Sequence, residues 1–379
     1  MFGGKIKANK PRGKPRTTKK VGLLKKKTKK TDNGIWKKEA KKGGLGKEDV
    51  LPLVKSMCSI KLKEKGIKSS SEYDCFTKEE LISMIEEYNH LQNLGESEAL
   101  KRGYHKPLVQ TFVSGIINVK DKTKKEIIDI LEKRFGFDEG RICQDKSTAC
   151  ILSLTHKNVK LYQLLEKNLN PLGPTKGKFE WLSNFDIDAV MGKVMETYPD
   201  FLYLGTVPID FAIIPTGTTL DHFDISHYLK NTSYRRFGII FNTDLSSGSG
   251  IHWIAIFIDA THIPDEIAIE FFDSVAPTRF GQRSSQPEIE NFMKKFEKEA
   301  KEKLYICVKD ICKKPSIKKK VNIIPKQKKD SECGVYSLWF LTSRLDGKTF
   351  EEIDKMPLPD DVINWGRATY FRGYLRKFG

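Results

Sequence analysis

The chain has 379 residues, 39% hydrophobic and 31% charged, a balance that permits a buried core and excludes disorder throughout. Its formal net charge is +18, yet residues 1–47 alone hold 18 Lys or Arg against Asp32 and Glu39, leaving 49 basic and 47 acidic groups in the other 332 residues. The basicity is a tail on a near-neutral body. No run of about 18 apolar residues suggests a membrane span, and Met1-Phe2-Gly3-Gly4-Lys5 lacks the apolar stretch of a secretory leader.

In chain order, residues 1–48 read as a disordered basic tail: Lys25–Lys27 and Lys29–Lys30 repel one another, and few apolar side chains offset the entropy of ordering. Such an arm suits nucleic-acid contact through residues 1–47, a nuclear address or an acidic partner; it equally suits a solubilising extension. It carries two diglycines, Gly3-Gly4 and Gly43-Gly44, the second where the arm meets the body.

Residues 49–175 read as a helical N-terminal domain. Thr77-Lys78-Glu79-Glu80 and Thr123-Lys124-Lys125-Glu126 are capping boxes, each leading into apolar residues at helical spacing. A third helix is expected over Val159–Leu169, and Pro171–Lys178 breaks the pattern as a boundary.

Residues 176–379 change character. Phe237–Asn242, Trp253–Ile258 and Ile267–Phe272 are short β-rich apolar runs, with Ser246-Ser247-Gly248-Ser249-Gly250 as a turn. A helix is expected over Glu288–Lys303, a strand over Val321–Ile324, and helices over Cys333–Leu345 and Asp360–Tyr374. The fold class is α+β, with a mixed sheet and helices. Seven thinly scattered cysteines suit a reducing compartment better than a disulfide framework; neither Cys307 with Cys312 nor Cys143 with Cys150 makes a zinc site. No phosphate-binding loop motif occurs, and no cofactor is expected.

Three residues could form an activated thiol. Cys333 stands at the start of an apolar helix, where unpaired backbone N–H groups favour an anion. His252, between the Gly/Ser loop and a strand, could supply the imidazole that ionises the thiol and protonates a leaving amine. Asp273, closing the next strand, could hold that ring. Plain alternatives stand beside these: a small buried cysteine, a satisfied histidine at a strand edge, and a turn-forming aspartate. Asp244 and Asp259 are rival carboxylates.

The blocks Phe237-Gly238 through Asn242-Thr243-Asp244 to His252-Trp253, Ile269-Glu270-Phe271-Phe272-Asp273-Ser274, and Gln327 through Ser331-Glu332-Cys333-Gly334 resemble the polyprotein proteases of African swine fever virus type, within the SUMO-protease and adenovirus-protease-like superfamily. Trp181–Asp188 resembles the segment that opens that core, so the resemblance spans about residues 178–375. It implies Cys333 as nucleophile, His252 as base and acid, Asp273 as orienting group and Gln327 as oxyanion donor. It also implies Trp253, Asn184 and Trp181 at the substrate. The implied activity is cysteine endopeptidase cleavage after Gly-Gly, maturing viral structural polyproteins in the virion and at cytoplasmic assembly sites. Two alternatives follow: deconjugation of host SUMO or ubiquitin, and a DNA-associated virion protein that uses the fold as scaffold.

Overall fold

The computed structural model describes residues 75–104, 109, 111–135, 158–174, 180–214, 217–218, 220, 222–276, 286–308 and 311–371. The basic arm and both diglycines lie outside them.

Among the described residues the first helices are α1 (Lys78–Leu94), α2 (Glu96–Lys101), α3 (Lys124–Phe135) and α4 (Val159–Glu166). Both expected capping boxes form, Thr77 with Glu80 and Thr123 with Glu126, each closing orphan N–H groups of the first turn. Leu81, Met84, Ile85, Tyr88 and Leu91 recur at helical spacing along α1 and bury against Ile127, Leu131 and Phe135 of α3.

The remainder is built on one sheet. After α5 (Asn184–Thr197) come β1 (Phe201–Pro208), α6 (Ile225–Asn231), β2 (Arg236–Asn242), β3 (Trp253–Asp259) and β4 (Glu266–Phe272). Then follow α7 (Pro287–Lys303), a hairpin of β5 (Ile306–Val308) and β6 (Ile311–Lys313), β7 (Ser316–Val321), α8 (Cys333–Leu345), α9 (Phe350–Lys355) and α10 (Asp360–Tyr370). The five-stranded sheet runs β1-β2-β3-β4-β7, parallel at both outer pairs and antiparallel within.

Both faces of this sheet are covered, which explains why its central strands read as continuous apolar runs rather than alternating ones. Phe237, Ile239 and Phe241, with Ile254, Ile256 and Ile258, face Ile289, Met293 and Phe296 of α7. On the opposite face, Phe272 stacks on Phe340 of α8 with centroids 4.8 Å apart. α8 is therefore apolar all round and buried from Cys333 through Leu341.

Two differences from the sequence reading have physical causes. The last strand is Ser316–Val321, not Val321–Ile324; its Ser-Ile-Lys-Lys-Lys-Val pattern is that of an edge strand with lysines in solvent. Cys307 and Cys312 face each other across the β5–β6 hairpin and form a disulfide, where the scattered cysteines suggest a reducing compartment rather than a disulfide framework. Among the described residues no helix is long and apolar enough to cross a membrane.

Candidate active site

The antiparallel register pairs Ala255 with Phe272, so the start of β3 lies beside the end of β4. The sequence brings His252 and Asp273 to those two ends.

The loop before His252 is fixed by its own polar groups. Asn242 Oδ1 accepts from the backbone N–H of Asp244 (2.9 Å) and Ile251 (3.1 Å), and Asp244 Oδ2 accepts from Gly250 N–H (2.9 Å). Gly250 has φ +93°, and a Cβ there would lie 2.9 Å from Asn242 Nδ2, so glycine satisfies both conformation and space. Thr243 N–H then donates to the His252 carbonyl at 2.9 Å.

His252 Nε2 lies 2.7 Å from Asp273 Oδ1, which also accepts from Val275 N–H at 3.0 Å. A carboxylate accepts only, so Nε2 carries the proton, and the ring is also hydrogen-bonded to the Cys333 side chain. Burial works to lower the His252 pKa; the Asp273 carboxylate and then the Cys333 sulfur outweigh it and raise it to about 10. The imidazolium therefore persists through neutral pH.

Asp273 is itself held. Its backbone N–H donates to Asn322 Oδ1 and its carbonyl accepts from Asn322 Nδ2, both at 2.8 Å. Asn322 is fully buried, and Ser274 is 1% exposed.

Cys333 is the first residue of α8, is 2% exposed and is the free cysteine among the described residues. The N-cap residue Glu332 makes no side-chain cap to the helix. Next to it, a Cβ on Gly334 would meet Leu182 Cβ at 3.1 Å and Trp253 Cδ1 at 3.2 Å. Trp253 is locked by its indole N–H, which donates to the Leu182 carbonyl at 2.9 Å. Gly334→Ala is expected to destabilise by about 1–3 kcal/mol through overpacking. By displacing Trp253 it should also lower kcat/KM about tenfold. Thermal unfolding and steady-state kinetics check the two effects.

Gln327, expected as an oxyanion donor, is buried although lysines flank it in sequence. Its Oε1 accepts from Ser274 Oγ at 2.6 Å, its Nε2 donates to the Lys329 carbonyl at 2.6 Å, and its backbone N–H donates to the Ser274 carbonyl at 2.9 Å. Trp181 (44% exposed) and exposed Asn184 stand one residue before and two residues after Leu182 in the chain. The rival carboxylates are engaged elsewhere: Asp244 closes its loop, and Asp259 pairs with Arg344 at 2.9 Å.

Sequence reasoning did not find Asn322, Ser274 or Leu182. Ser274 adjoins Asp273 and was within reach; Asn322 acts from just beyond the end of β7, and no local spacing announces it.

A sheet-borne imidazole held by a carboxylate and facing a thiol at a helix start is the arrangement of a cysteine protease. Residues 238–365 match the model of the Ulp1 protease family, C-terminal catalytic domain. A protein named as a thiol protease of Acanthamoeba polyphaga mimivirus is 28% identical over 314 residues, 80% of this chain and 91% of the relative. One named as a SUMO-1 cysteine protease of African swine fever virus is 27% identical over 270 residues, 66% of this chain and 89% of the relative. The fold is also that of the selenomethionine crystal structure of the African swine fever virus protease, with TM-score 0.50, 21% identity, and 66% and 89% of the two chains covered. The protein is a cysteine protease.

Proposed function

We propose that the chain is an endopeptidase in which Cys333 is the nucleophile, His252 its general base and acid, and Asp273 the group that orients the ring. Gln327, through its side-chain amide, and the Cys333 backbone N–H are the oxyanion donors. The observation that carries this reading is one imidazole bonded through Nε2 to Asp273 and also hydrogen-bonded to the Cys333 side chain.

The reaction follows from the charges. The thiolate sulfur bonds to the scissile carbonyl carbon, and the carbonyl oxygen takes the negative charge, where the N–H donors stabilise it. Collapse of this intermediate breaks the C–N bond, and the imidazolium gives its proton to the departing amine. A water, deprotonated by the now neutral imidazole, attacks the thioester and releases the acid; the thiolate and imidazolium are regenerated.

For substrate, we assign cleavage after Gly-Gly in viral structural polyproteins during particle assembly. The resemblance of the His252, Asp273 and Cys333 blocks to polyprotein-processing proteases supports this. Relatives named as proteases in two large DNA viruses support it further. The Ulp1 family match and the SUMO-1 name of one relative favour a second reading, removal of ubiquitin-like modifiers from host proteins.

A substrate panel separates these. The polyprotein reading expects Gly-Gly-x peptides from viral structural proteins to be cleaved with kcat/KM at least ~100-fold above their Ala-Ala counterparts, and above SUMO or ubiquitin conjugates. Preference for the conjugates would select the second reading. Equal cleavage of the Ala-Ala peptides would remove the diglycine assignment.

A further inference from the structure

Asp360, Asn364 and Arg367 stand at i, i+4 and i+7 of α10, which places them on one helical face. All three are buried, Arg367 fully, and buried charges persist only where partners satisfy them. Their partners are segments of the active site.

Asp360 Oδ2 accepts from the backbone N–H of Lys328 (3.0 Å) and Lys329 (2.9 Å), and its Oδ1 accepts from Tyr336 Oη (3.1 Å). Tyr336 lies on α8, one turn after Cys333. Lys329, whose N–H is held in this way, also carries the carbonyl that accepts from Gln327 Nε2. One carboxylate thus ties the Gln327 loop to the cysteine helix. Further along the same face, Arg367 donates to Asn364 Oδ1 (2.9 Å), the Ser331 carbonyl (2.7 Å) and the Glu180 carbonyl (2.7 Å). Asn364 Nδ2 donates to Glu332 Oε1 at 2.7 Å, and Glu332 Oε2 accepts from Ser331 N–H at 3.0 Å. Those bonds fix the two residues before the nucleophile and the strand of chain that leads to Trp181 and Leu182.

We infer that this face of α10 positions the reacting groups: Asp360 sets the Gln327 amide relative to the Cys333 N–H, while Asn364 and Arg367 set the approach to Cys333. The inference rests on the reading of Cys333 and Gln327 given above, and none of the three α10 side chains is assigned contact with substrate.

The test compares Asp360→Ala, Asp360→Asn and, as a control, Asp361→Ala, whose exposed carboxylate also pairs with Lys329 but only at the surface. Each is assayed for kcat and KM on a Gly-Gly peptide and for alkylation of Cys333 by iodoacetamide, a reaction that needs the thiolate but no oxyanion donor. Asp360→Ala is expected to lower kcat about 10- to 100-fold, with KM and alkylation rate within about twofold of wild type. Asp360→Asn, which keeps one acceptor oxygen, is expected to recover part of that loss, and Asp361→Ala to stay within about twofold. A wild-type kcat in Asp360→Ala overturns the inference, and so does a parallel fall of alkylation and kcat in both Asp360 variants, which would mark a purely structural role. Should Asp360→Ala not fold, the same ratio in Asp360→Asn decides. Cys333→Ala is run alongside: residual turnover there would sink the nucleophile assignment and this inference with it, whereas an inactive Cys333→Ala beside a fully active Asp360→Ala removes the positioning role alone.

Discussion

Cys333→Ala is expected to lower kcat/KM by at least ~10⁴-fold while leaving the thermal unfolding midpoint within a few degrees of wild type. The two expectations are separable because the side chain is small and the helix behind it is held by far larger residues. Phe340 stacks on Phe272, and Tyr336, itself buried, donates to the Leu358 carbonyl at 2.7 Å. Loss of one sulfur atom leaves a small void, costing about 1 kcal/mol on the scale of core truncations. Cys333→Ser is the sharper variant: it restores nearly the same volume, yet a hydroxyl does not ionise beside an imidazole as a thiol does. Serine is therefore expected to be nearly as inactive as alanine. A serine variant with more than a tenth of wild-type activity would mean that Cys333 is packing rather than chemistry.

His252→Ala is expected to cost about 10³- to 10⁵-fold in kcat/KM. Two supports act on the sulfur anion, and their sizes differ. A helix N-terminus contributes about 0.3–1 kcal/mol, rising to ~2 in favourable partly buried geometry. An opposite charge at about 4 Å contributes about 4 kcal/mol at an effective dielectric constant of 20. The imidazolium therefore dominates, and the helix alone should not rescue the enzyme. The same histidine sets the alkaline limit. With its pKa raised to about 10, the imidazolium is present at neutral pH and is lost as pH rises through that value, so kcat/KM should decline there. The Asp273 hydrogen bond is a leading cause of the upward shift, so in Asp273→Ala the decline should move to lower pH; an unchanged pH profile would deny Asp273 that role.

The parts of this site that were legible in the sequence are those where one residue carries the signal locally. Cys333-Gly334 opening an apolar run announced α8, and its observed bounds, Cys333–Leu345, are those expected. Likewise β2, β3 and β4 form where the β-rich runs lie, because covering both sheet faces leaves no polar interruption. The start of the sheet was not seen as a strand: Phe201–Pro208 contains Gly205 and Pro208 and pairs irregularly with β2 between Tyr203 and Thr206. The helix before it begins with Ser183 and Asp186 as a capping pair, a variant with the shorter acid that attracted no helix expectation. What could not be read was long-range pairing. Asn322 clamps Asp273 across 49 residues, and Arg367 reaches the Glu180 carbonyl across 187, so neither partnership leaves a mark in local periodicity. The burial of Gln327 among lysines is a similar case: Ser274 supplies the hydroxyl that satisfies it, while Lys326 Nζ donates to the carbonyl of Met356 at 2.8 Å and Lys329 Nζ to Asp361 at 2.6 Å.

The most direct measurement is the rate at which iodoacetamide labels Cys333, located by peptide mass spectrometry, in wild type and His252→Ala at pH 6.5. A sulfur kept anionic by the neighbouring ring should react at least ~10-fold faster in wild type than in the variant. Equal rates in the two proteins would show that the ring does not act on the sulfur, and the protease chemistry assigned to this pair would be wrong.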